Sequence, residues 1–116
     1  MLLVEDEASV ALLIESMLED LGCELAGSAA HLAKALDLAR QAAADVAVLD
    51  INLGGQRVFP VCEVLGQRGI PFVFSSGYGV DGLPPEQREH PVLKKPFSDA
   101  DLQRALVTAL SSQRGK

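Results

Sequence analysis

Cysteine, positive charge and long apolar runs are all scarce in this chain of 116 residues, and each shortage narrows the class of protein. The two cysteines, Cys23 and Cys62, stand alone in apolar surroundings, without CxxC or histidine spacing. We therefore expect reduced structural thiols in a reducing compartment rather than a disulfide framework.

Ten lysines and arginines stand against sixteen aspartates and glutamates, and the basic residues form no run. The net charge of −6 argues against nucleic acid or an anionic membrane as a partner, because either would require a basic face. The apolar stretches are short and interrupted by charge, so no membrane span is predicted. The apolar start at Leu2–Val4 is too short for a signal peptide and is followed at once by acids, which indicates the first strand of a cytoplasmic protein.

The chain is 48% hydrophobic, which is enough to form a buried core. Its length fits one domain over residues 1–116. Apolar patterns alternate along it between strand-like and helix-like segments. Strands are predicted at residues 2–4, 24–28, 45–49, 71–75 and 91–94, and helices at 7–21, 31–43, 58–67 and 99–110. The buried face of the first helix is predicted to hold Val10, Leu13, Ile14, Met17, Leu18 and Leu21. Ser98 is a good N-cap for the last helix.

This alternation predicts an α/β, doubly wound (βα)5 flavodoxin-like fold in three layers, with a five-stranded parallel sheet in the order 2-1-3-4-5. The pattern is least regular at residues 77–89, where glycines and Pro84-Pro85 interrupt it. We expect a short or mobile fourth helix there.

Polar residues stand where four of these strands end, and ligands of such sheets bind at the carboxyl ends of the strands. The four sites are Glu5-Asp6, Asp50 with Asn52, Ser76-Gly77 and Lys95-Pro96. Each pair is common by itself, but together they describe one pocket for a divalent cation and a phosphoryl group.

Glu5, Asp6 and Asp50 would place three carboxylates in this pocket. Two unit charges 4 Å apart repel by roughly 4 kcal/mol at an effective dielectric constant of 20, so the pocket needs a cation. Mg2+ suits such hard oxygen ligands, and we assign direct ligation to Asp6, Asp50 and the backbone carbonyl of Asn52, with Glu5 acting through a water. Taken alone, Glu5-Asp6 is also explained as a pair of acids at the start of a helix.

Asp50 closes the most apolar strand, and a carboxylate there can act as a nucleophile that forms an aspartyl phosphate. Lys95 and Mg2+ would neutralise the phosphoryl charge, and Ser76 with Gly77 would offer a hydroxyl and a close backbone N–H. By itself, Lys95 would be better explained as a solvated lysine, and the Ser-Gly step equally well as an ordinary turn.

These residues resemble the receiver domain of two-component response regulators over essentially the whole chain. The resemblance implies that Glu5-Asp6 binds metal, that Asp50 is the phosphoacceptor, and that Ser76 and Lys95 are the switch hydroxyl and the invariant lysine. The Lys-Pro-Phe turn also matches the family and implies a cis bond before Pro96.

The run PFVFSSGYG, residues 71–79, resembles the PFxFATGY motif of a subgroup of single-domain response regulators. That subgroup is known from alphaproteobacteria and is associated with kinases of the HWE/HisKA2 type. Ser75 stands where the motif has alanine, a change expected to be mild. Val92 stands where many receivers carry a switching aromatic, so Tyr78 or residues 77–89 are expected to carry the signal instead. Tyr78 is also explained as a loop aromatic that covers the edge of the sheet.

The resemblance implies phosphoryl transfer to Asp50 from a sensor histidine kinase or a histidine phosphotransfer protein, with slow hydrolysis of the aspartyl phosphate and no separate substrate. Output would pass to a downstream protein, or the chain would serve as a phosphate sink, and we expect a monomer or weak dimer. One alternative is a receiver module from a larger hybrid kinase or multidomain regulator. The others are a flavodoxin-like cofactor binder, which the acids after the first strand oppose, and a small phosphatase, for which Asn52 replaces the second acid of a DxD pair.

Overall fold

The computed structural model describes residues 1–77, 83, 90–95 and 97–114. Helices and strands alternate along them much as the apolar pattern predicts. In chain order the elements are β1 (Leu2–Val4), α1 (Ala8–Asp20), β2 (Gly27–Ala29), α2 (Leu32–Gln41), β3 (Ala47–Asp50), β4 (Asn52–Leu53), β5 (Gln56–Arg57), α3 (Phe59–Gln67), β6 (Phe72–Ser76), β7 (Val92–Lys94) and α4 (Asp99–Arg114).

Five of the strands form one parallel sheet in the order β2-β1-β3-β6-β7. Since β6 and β7 are the fourth and fifth predicted strands, the predicted order 2-1-3-4-5 is confirmed. Successive side chains of a strand point to opposite faces, and the core divides accordingly. Val48 and Val73 pack with α1 and α4, whereas Leu49 and Phe74 pack with α2 and α3. The result is the predicted three-layer, doubly wound fold.

The register of the sheet brings the ends of its central strands to one level. Val4 pairs with Leu49, and Asp50 pairs with Ser75. The described residues of the four predicted polar sites therefore lie at the carboxyl edge of the sheet.

Two strands were not predicted. β4 and β5 form an antiparallel hairpin, in which Leu53 pairs with Gln56. Its two-residue loop, Gly54-Gly55, has φ angles of 58° and 92°, which is typical of the turns that match the twist of a hairpin. The predicted elements leave residues 50–57, which include these glycines, as a connection between the third strand and the helix at 58–67.

Two predictions need correction. The second strand covers Gly27–Ala29 rather than residues 24–28, because only this short stretch pairs with β1. Leu13 is 56% exposed and not part of the buried face of α1, on which Ile14, Met17 and Leu18 lie. A helix packed on a sheet buries a limited stripe, and Leu13 lies on the flank of that stripe, beside a groove shared with Phe97.

Other predictions lie outside the described residues. The fourth helix, the role of Tyr78 and the cis bond before Pro96 belong to this group. Within the irregular segment, the structure does describe Leu83, whose side chain is buried in the core on the α2 and α3 face.

Candidate functional site

Asp50 lies at the centre of the site, at the end of β3, and only 8% of its surface is exposed. Its Oδ1 accepts a hydrogen bond from the backbone N–H of Asn52 at 3.3 Å, and its Oδ2 lies 3.4 Å from Lys95 Nζ. Burial raises the pKa of Asp50 to about 7; a hydrogen bond with Glu5 and the charge of Glu5 add to the rise, while Lys95 opposes it. Asp50 is therefore a carboxyl group that changes its charge near neutral pH.

Glu5 follows β1 and is the most buried of the acids at the site, with 3% of its surface exposed. Its Oε1 forms an ion pair with Lys95 Nζ at 2.8 Å, and its Oε2 accepts a hydrogen bond from the backbone N–H of Glu7 at 3.2 Å. Both carboxylate oxygens thus have partners, which is the condition under which a charge tolerates burial.

Lys95 bridges the two buried carboxyl groups. It follows β7, which β6 and β3 separate from β1, so the side chains of Lys95 and Glu5 extend toward each other over the ends of these strands and meet beside Asp50. Burial by itself lowers the pKa of Lys95, but the hydrogen bond to Glu5 and the charges of Asp50 and Glu5 outweigh burial and hold this pKa above its usual range. The backbone N–H of Lys95 donates to the carbonyl of Ser76 at 2.8 Å, which fixes the start of the side chain.

Asp6 is exposed and is tied to the unpredicted hairpin. Its Oδ2 accepts a hydrogen bond from the backbone N–H of Gly54 at 3.0 Å. Burial acts to raise the pKa of Asp6, but this hydrogen bond, with further ones to Asp50 and Glu5, holds it below the usual range. The sequence pattern did not predict the contact between Gly54 and Asp6. The Gly-Gly pair after a short apolar run was the feature that could have indicated the hairpin.

Ligand oxygens of Glu5, Asp6 and Asp50 lie within 4.8 Å of one another. In an octahedral Mg2+ site, oxygens at about 2.1 Å from the ion are separated by roughly 3 to 4 Å, so the spacing of these acids is close to that of a Mg2+ site. The acidic cluster therefore fits the predicted ion. Asn52 is held beside Asp50 by its backbone N–H, and its side-chain Oδ1 accepts a hydrogen bond from the N–H of Gly55 at 3.0 Å.

Ser76 is buried at the end of β6, level with Lys94 of β7. Gly77 follows at the edge of the pocket, where a side chain would meet nothing within 4 Å. Of the predicted site residues, the structure thus brings together Glu5, Asp6, Asp50, Asn52, Ser76, Gly77 and Lys95 at one edge of the sheet. Tyr78 and Pro96 lie outside the described residues.

Comparison with known proteins identifies the family of this chain. The chain belongs to the response regulator receiver domain family, whose model matches residues 1–107. Receiver domains accept phosphoryl groups in two-component signalling, bind Mg2+ in an acidic pocket and interact with histidine kinases or phosphotransfer proteins. A comparison with curated proteins finds no significant match.

Among solved structures, the chain is similar to SdrG from Sphingomonas melonis Fr1, with 40% identity over 94% of this chain and 93% of that chain, and a TM-score of 0.85. It is also similar to the BeF3-activated conformation of SdrG, attributed to Pseudomonas melonis Fr1, with 39% identity over 94% and 93% of the two chains and a TM-score of 0.81. A mutant of the anti-anti-sigma factor PhyR from Bartonella quintana is 25% identical, over 99% of this chain and 49% of that chain, with a TM-score of 0.81.

Among the described residues, no helix is long and apolar enough to span a membrane. Cys62 is buried, and burial raises the pKa of its thiol to about 12, so it remains protonated and unreactive at neutral pH.

Proposed function

We propose that Asp50 is the phosphoacceptor of this receiver domain and that the donor is a phosphohistidine of a sensor histidine kinase or phosphotransfer protein. The observation that carries the proposal is the position of the Lys95 ammonium, 3.4 Å from Asp50 Oδ2, inside a group of three carboxyl groups. A buried carboxylate with a cation at its side and two further acids nearby is arranged to accept an anionic group together with a divalent ion.

In the proposed transfer, an ionised oxygen of Asp50 forms a bond to phosphorus while the P–N bond of the phosphohistidine breaks and the imidazole keeps the electron pair. Asp6, Asp50 and the backbone carbonyl of Asn52 would hold Mg2+, with Glu5 acting through a water. When bound, Mg2+ supplies positive charge that favours the ionised form of Asp50 and neutralises the phosphoryl oxygens. Lys95 adds a second positive charge beside Asp50 Oδ2.

The switch that follows would start at Lys95 and Ser76. Phosphoryl oxygens on Asp50 compete with Glu5 for the Lys95 ammonium and offer acceptors to the Ser76 hydroxyl. Val92 is half-buried against the core and has no ring to turn inward. We therefore propose that Tyr78, or reordering of residues 77–89, carries the change to the surface.

From the resemblance of residues 71–79 to the PFxFATGY motif, we also propose a kinase partner of the HWE/HisKA2 type. The proposed place of action is the cytoplasm. Output would pass to a downstream protein, as the description of PhyR as an anti-anti-sigma factor suggests for that relative, or would consist of draining phosphate from a shared kinase. A monomer or weak dimer, with no separate substrate, is sufficient for either role.

A second candidate is a receiver module joined to further domains, because the chain matches only 49% of the PhyR chain. The reading frame of the gene distinguishes this arrangement from a stand-alone receiver.

The phosphoacceptor is tested by incubation with acetyl phosphate and Mg2+, followed by mass spectrometry of the intact protein. The wild type and Asp37→Asn, a control for the loss of one exposed acid on α2, should take up one phosphoryl group, and Asp50→Asn none. Magnesium-dependent uptake by Asp50→Asn would refute the assignment. The signalling role of Tyr78 is tested separately: unchanged uptake and partner binding by Tyr78→Ala would remove it.

A further inference from the structure

Ser75 carries a buried hydroxyl that the proposed phosphoryl transfer does not use. Only 1% of its surface is exposed, and among the described residues its Oγ is the one buried side-chain oxygen without a hydrogen-bond partner. A buried hydroxyl without a partner destabilises the folded state, whereas alanine at the same place does not incur this cost. We therefore expect this hydroxyl to gain a hydrogen bond in another state of the protein.

The register of the sheet places Ser75 beside the phosphoacceptor and next to the strand that leads to Lys95. Ser75 pairs with Asp50 of β3 on one side and with Leu93 of β7 on the other. Because side chains alternate along a strand, Ser75 shares the face of Val73, and Asp50 shares the face of Val48, which packs in the same cluster. Neighbouring strands lie about 4.8 Å apart, so Ser75 and Asp50 are side-by-side neighbours on this face, although no hydrogen bond joins them.

The path of Lys95 indicates when this hydroxyl gains a partner. In the order β1-β3-β6-β7, Lys95 extends from the end of β7 over the end of β6, and Glu5 extends toward it from the end of β1. The two side chains meet beside Asp50 of β3, and the shortest contact of Lys95 Nζ is with Glu5. If Asp50 gains negative charge, Lys95 withdraws from Glu5, and its ammonium moves back toward β6, where Ser75 lies. An ammonium has three donors, so it can bond the phosphoryl group and a hydroxyl oxygen together.

Building on the proposed phosphorylation of Asp50, we propose that Ser75 is a positioning residue for Lys95. Its hydroxyl oxygen accepts a hydrogen bond from Lys95 Nζ in the phosphorylated state and has no partner in the unphosphorylated state. The pair thereby favours phosphorylated Asp50 over the resting form, in addition to any contribution of Ser76.

Beryllofluoride with Mg2+, a mimic of the phosphoryl group, provides the first test by titration calorimetry. A hydrogen bond to a charged group corresponds to about a tenfold change in affinity, so Ser75→Ala should bind beryllofluoride about tenfold more weakly than the wild type. Ser75→Cys keeps the volume but is a poor acceptor, and it should be weakened similarly. Thr108→Ala, which removes an exposed hydroxyl bonded to the carbonyl of Arg104 in α4, should leave the affinity unchanged. Wild-type affinity in both Ser75 variants overturns the inference.

A second test uses the midpoint of urea unfolding without metal or beryllofluoride. In the wild-type background, Ser75→Ala should raise the midpoint, because it removes an unpartnered hydroxyl. In a Glu5→Leu background, Lys95 has already lost its contact with Glu5, so the same substitution should lower the midpoint. If Ser75→Ala shifted the urea midpoint in the same direction in both backgrounds, Ser75 would act independently of Lys95 and the inference would be overturned.

The two levels of the proposal fail in different ways. If the wild type does not bind beryllofluoride with Mg2+, the proposed phosphorylation of Asp50 fails, and the role of Ser75 fails with it. If the wild type binds and the Ser75 variants bind equally well, the role of Ser75 alone is wrong.

Discussion

Lys95 Nζ lies 2.8 Å from Glu5 Oε1 and is thus closer to Glu5 than to the proposed phosphoacceptor, from which it is separated by 3.4 Å. One ammonium therefore serves two buried carboxyl groups. A single positive charge does not fully compensate two negative charges in a poorly solvated place, which agrees with the raised pKa of Asp50.

The first prediction concerns Glu5→Gln. This change removes the charge that raises the pKa of Asp50 and leaves Lys95 with Asp50 as its remaining charged partner. The pKa of Asp50 should fall clearly below 7 in the metal-free protein. Carbon-detected NMR titration of the aspartate carboxyl groups measures this shift.

Glu7→Gln is the matched control, because Glu7 is exposed and contacts Glu5 through its backbone N–H and not through its side chain. The pKa of Asp50 in Glu7→Gln should equal that in the wild type. An unchanged midpoint in Glu5→Gln would show that burial alone sets the pKa of Asp50.

The second prediction concerns stability and pH without metal. The pKa of Asp50 is raised from its ordinary value of 3.8 to about 7, so between these values the folded state binds a proton that the unfolded state has lost. This contribution is fully present below pH 3.8 and is lost as the pH rises through 7. Between pH 5.5 and 8 the free energy of unfolding should fall by about 2 kcal/mol on account of Asp50.

Urea unfolding of the wild type and of Asp50→Asn, each with a chelator, measures this contribution, since the difference between the two proteins cancels groups that titrate in both. Saturating Mg2+ should stabilise the wild type more at pH 8 than at pH 5.5, because the ion competes with the proton for Asp50. If the free energies of unfolding of the two proteins changed in parallel with pH, the raised pKa of Asp50 would be contradicted.

Much of the fold was predictable because two signals agreed. The apolar run before Asp50 and the helical spacing of apolar residues specify strands and helices separately, and their alternation leaves few topologies. The site followed from the fold, since Glu5, Asp50, Ser76 and Lys95 each come directly after or at the end of a strand, and parallel strands end at one edge.

The remaining features depend on contacts that a linear pattern does not contain. The β4–β5 hairpin is stabilised by a hydrogen bond from Gly54 to Asp6, 48 residues away. Leu13 has the spacing of a buried residue but faces an open flank of α1. Ser75 looks like a mild replacement of alanine until the register shows that it pairs with Asp50.

The third prediction uses two glycines that should respond to alanine with opposite signs. Gly54 has a φ of 58°, and alanine there should cost about 1 kcal/mol of stability, because a side chain is disfavoured in this conformation although no atom lies within 4 Å. Gly66 lies inside α3, also with nothing within 4 Å, and alanine there should add about 0.5 to 1 kcal/mol. Urea unfolding measures both, and a gain in stability from Gly54→Ala would contradict the hairpin geometry.

The fourth prediction concerns the start of α4. The N–H of Asp101 donates to Ser98 Oγ, and the N–H of Ser98 donates to Asp101 Oδ2, each at 3.1 Å, so the predicted N-cap is confirmed as a reciprocal capping pair. Ser98→Ala should lower the free energy of unfolding by about 1 kcal/mol. Thr108→Ala, which removes a hydroxyl from the middle of the same helix, should change it by less than about 0.5 kcal/mol. Equal effects of the two variants would argue against the cap.

The fifth prediction compares two leucines of α1 that the apolar spacing does not distinguish. Leu18 is fully buried, and its replacement by alanine should cost about 2 to 5 kcal/mol, because it removes packed atoms and leaves a cavity. Leu13 is 56% exposed and lines an open groove of about 320 Å³ with Phe97 and Lys95, so the same replacement there should cost less than about 1 kcal/mol. Both changes lie in one helix and share the same difference in helix propensity, so the comparison isolates burial. If Leu13→Ala were as destabilising as Leu18→Ala in urea unfolding, the groove beside α1 would have to be closed in solution.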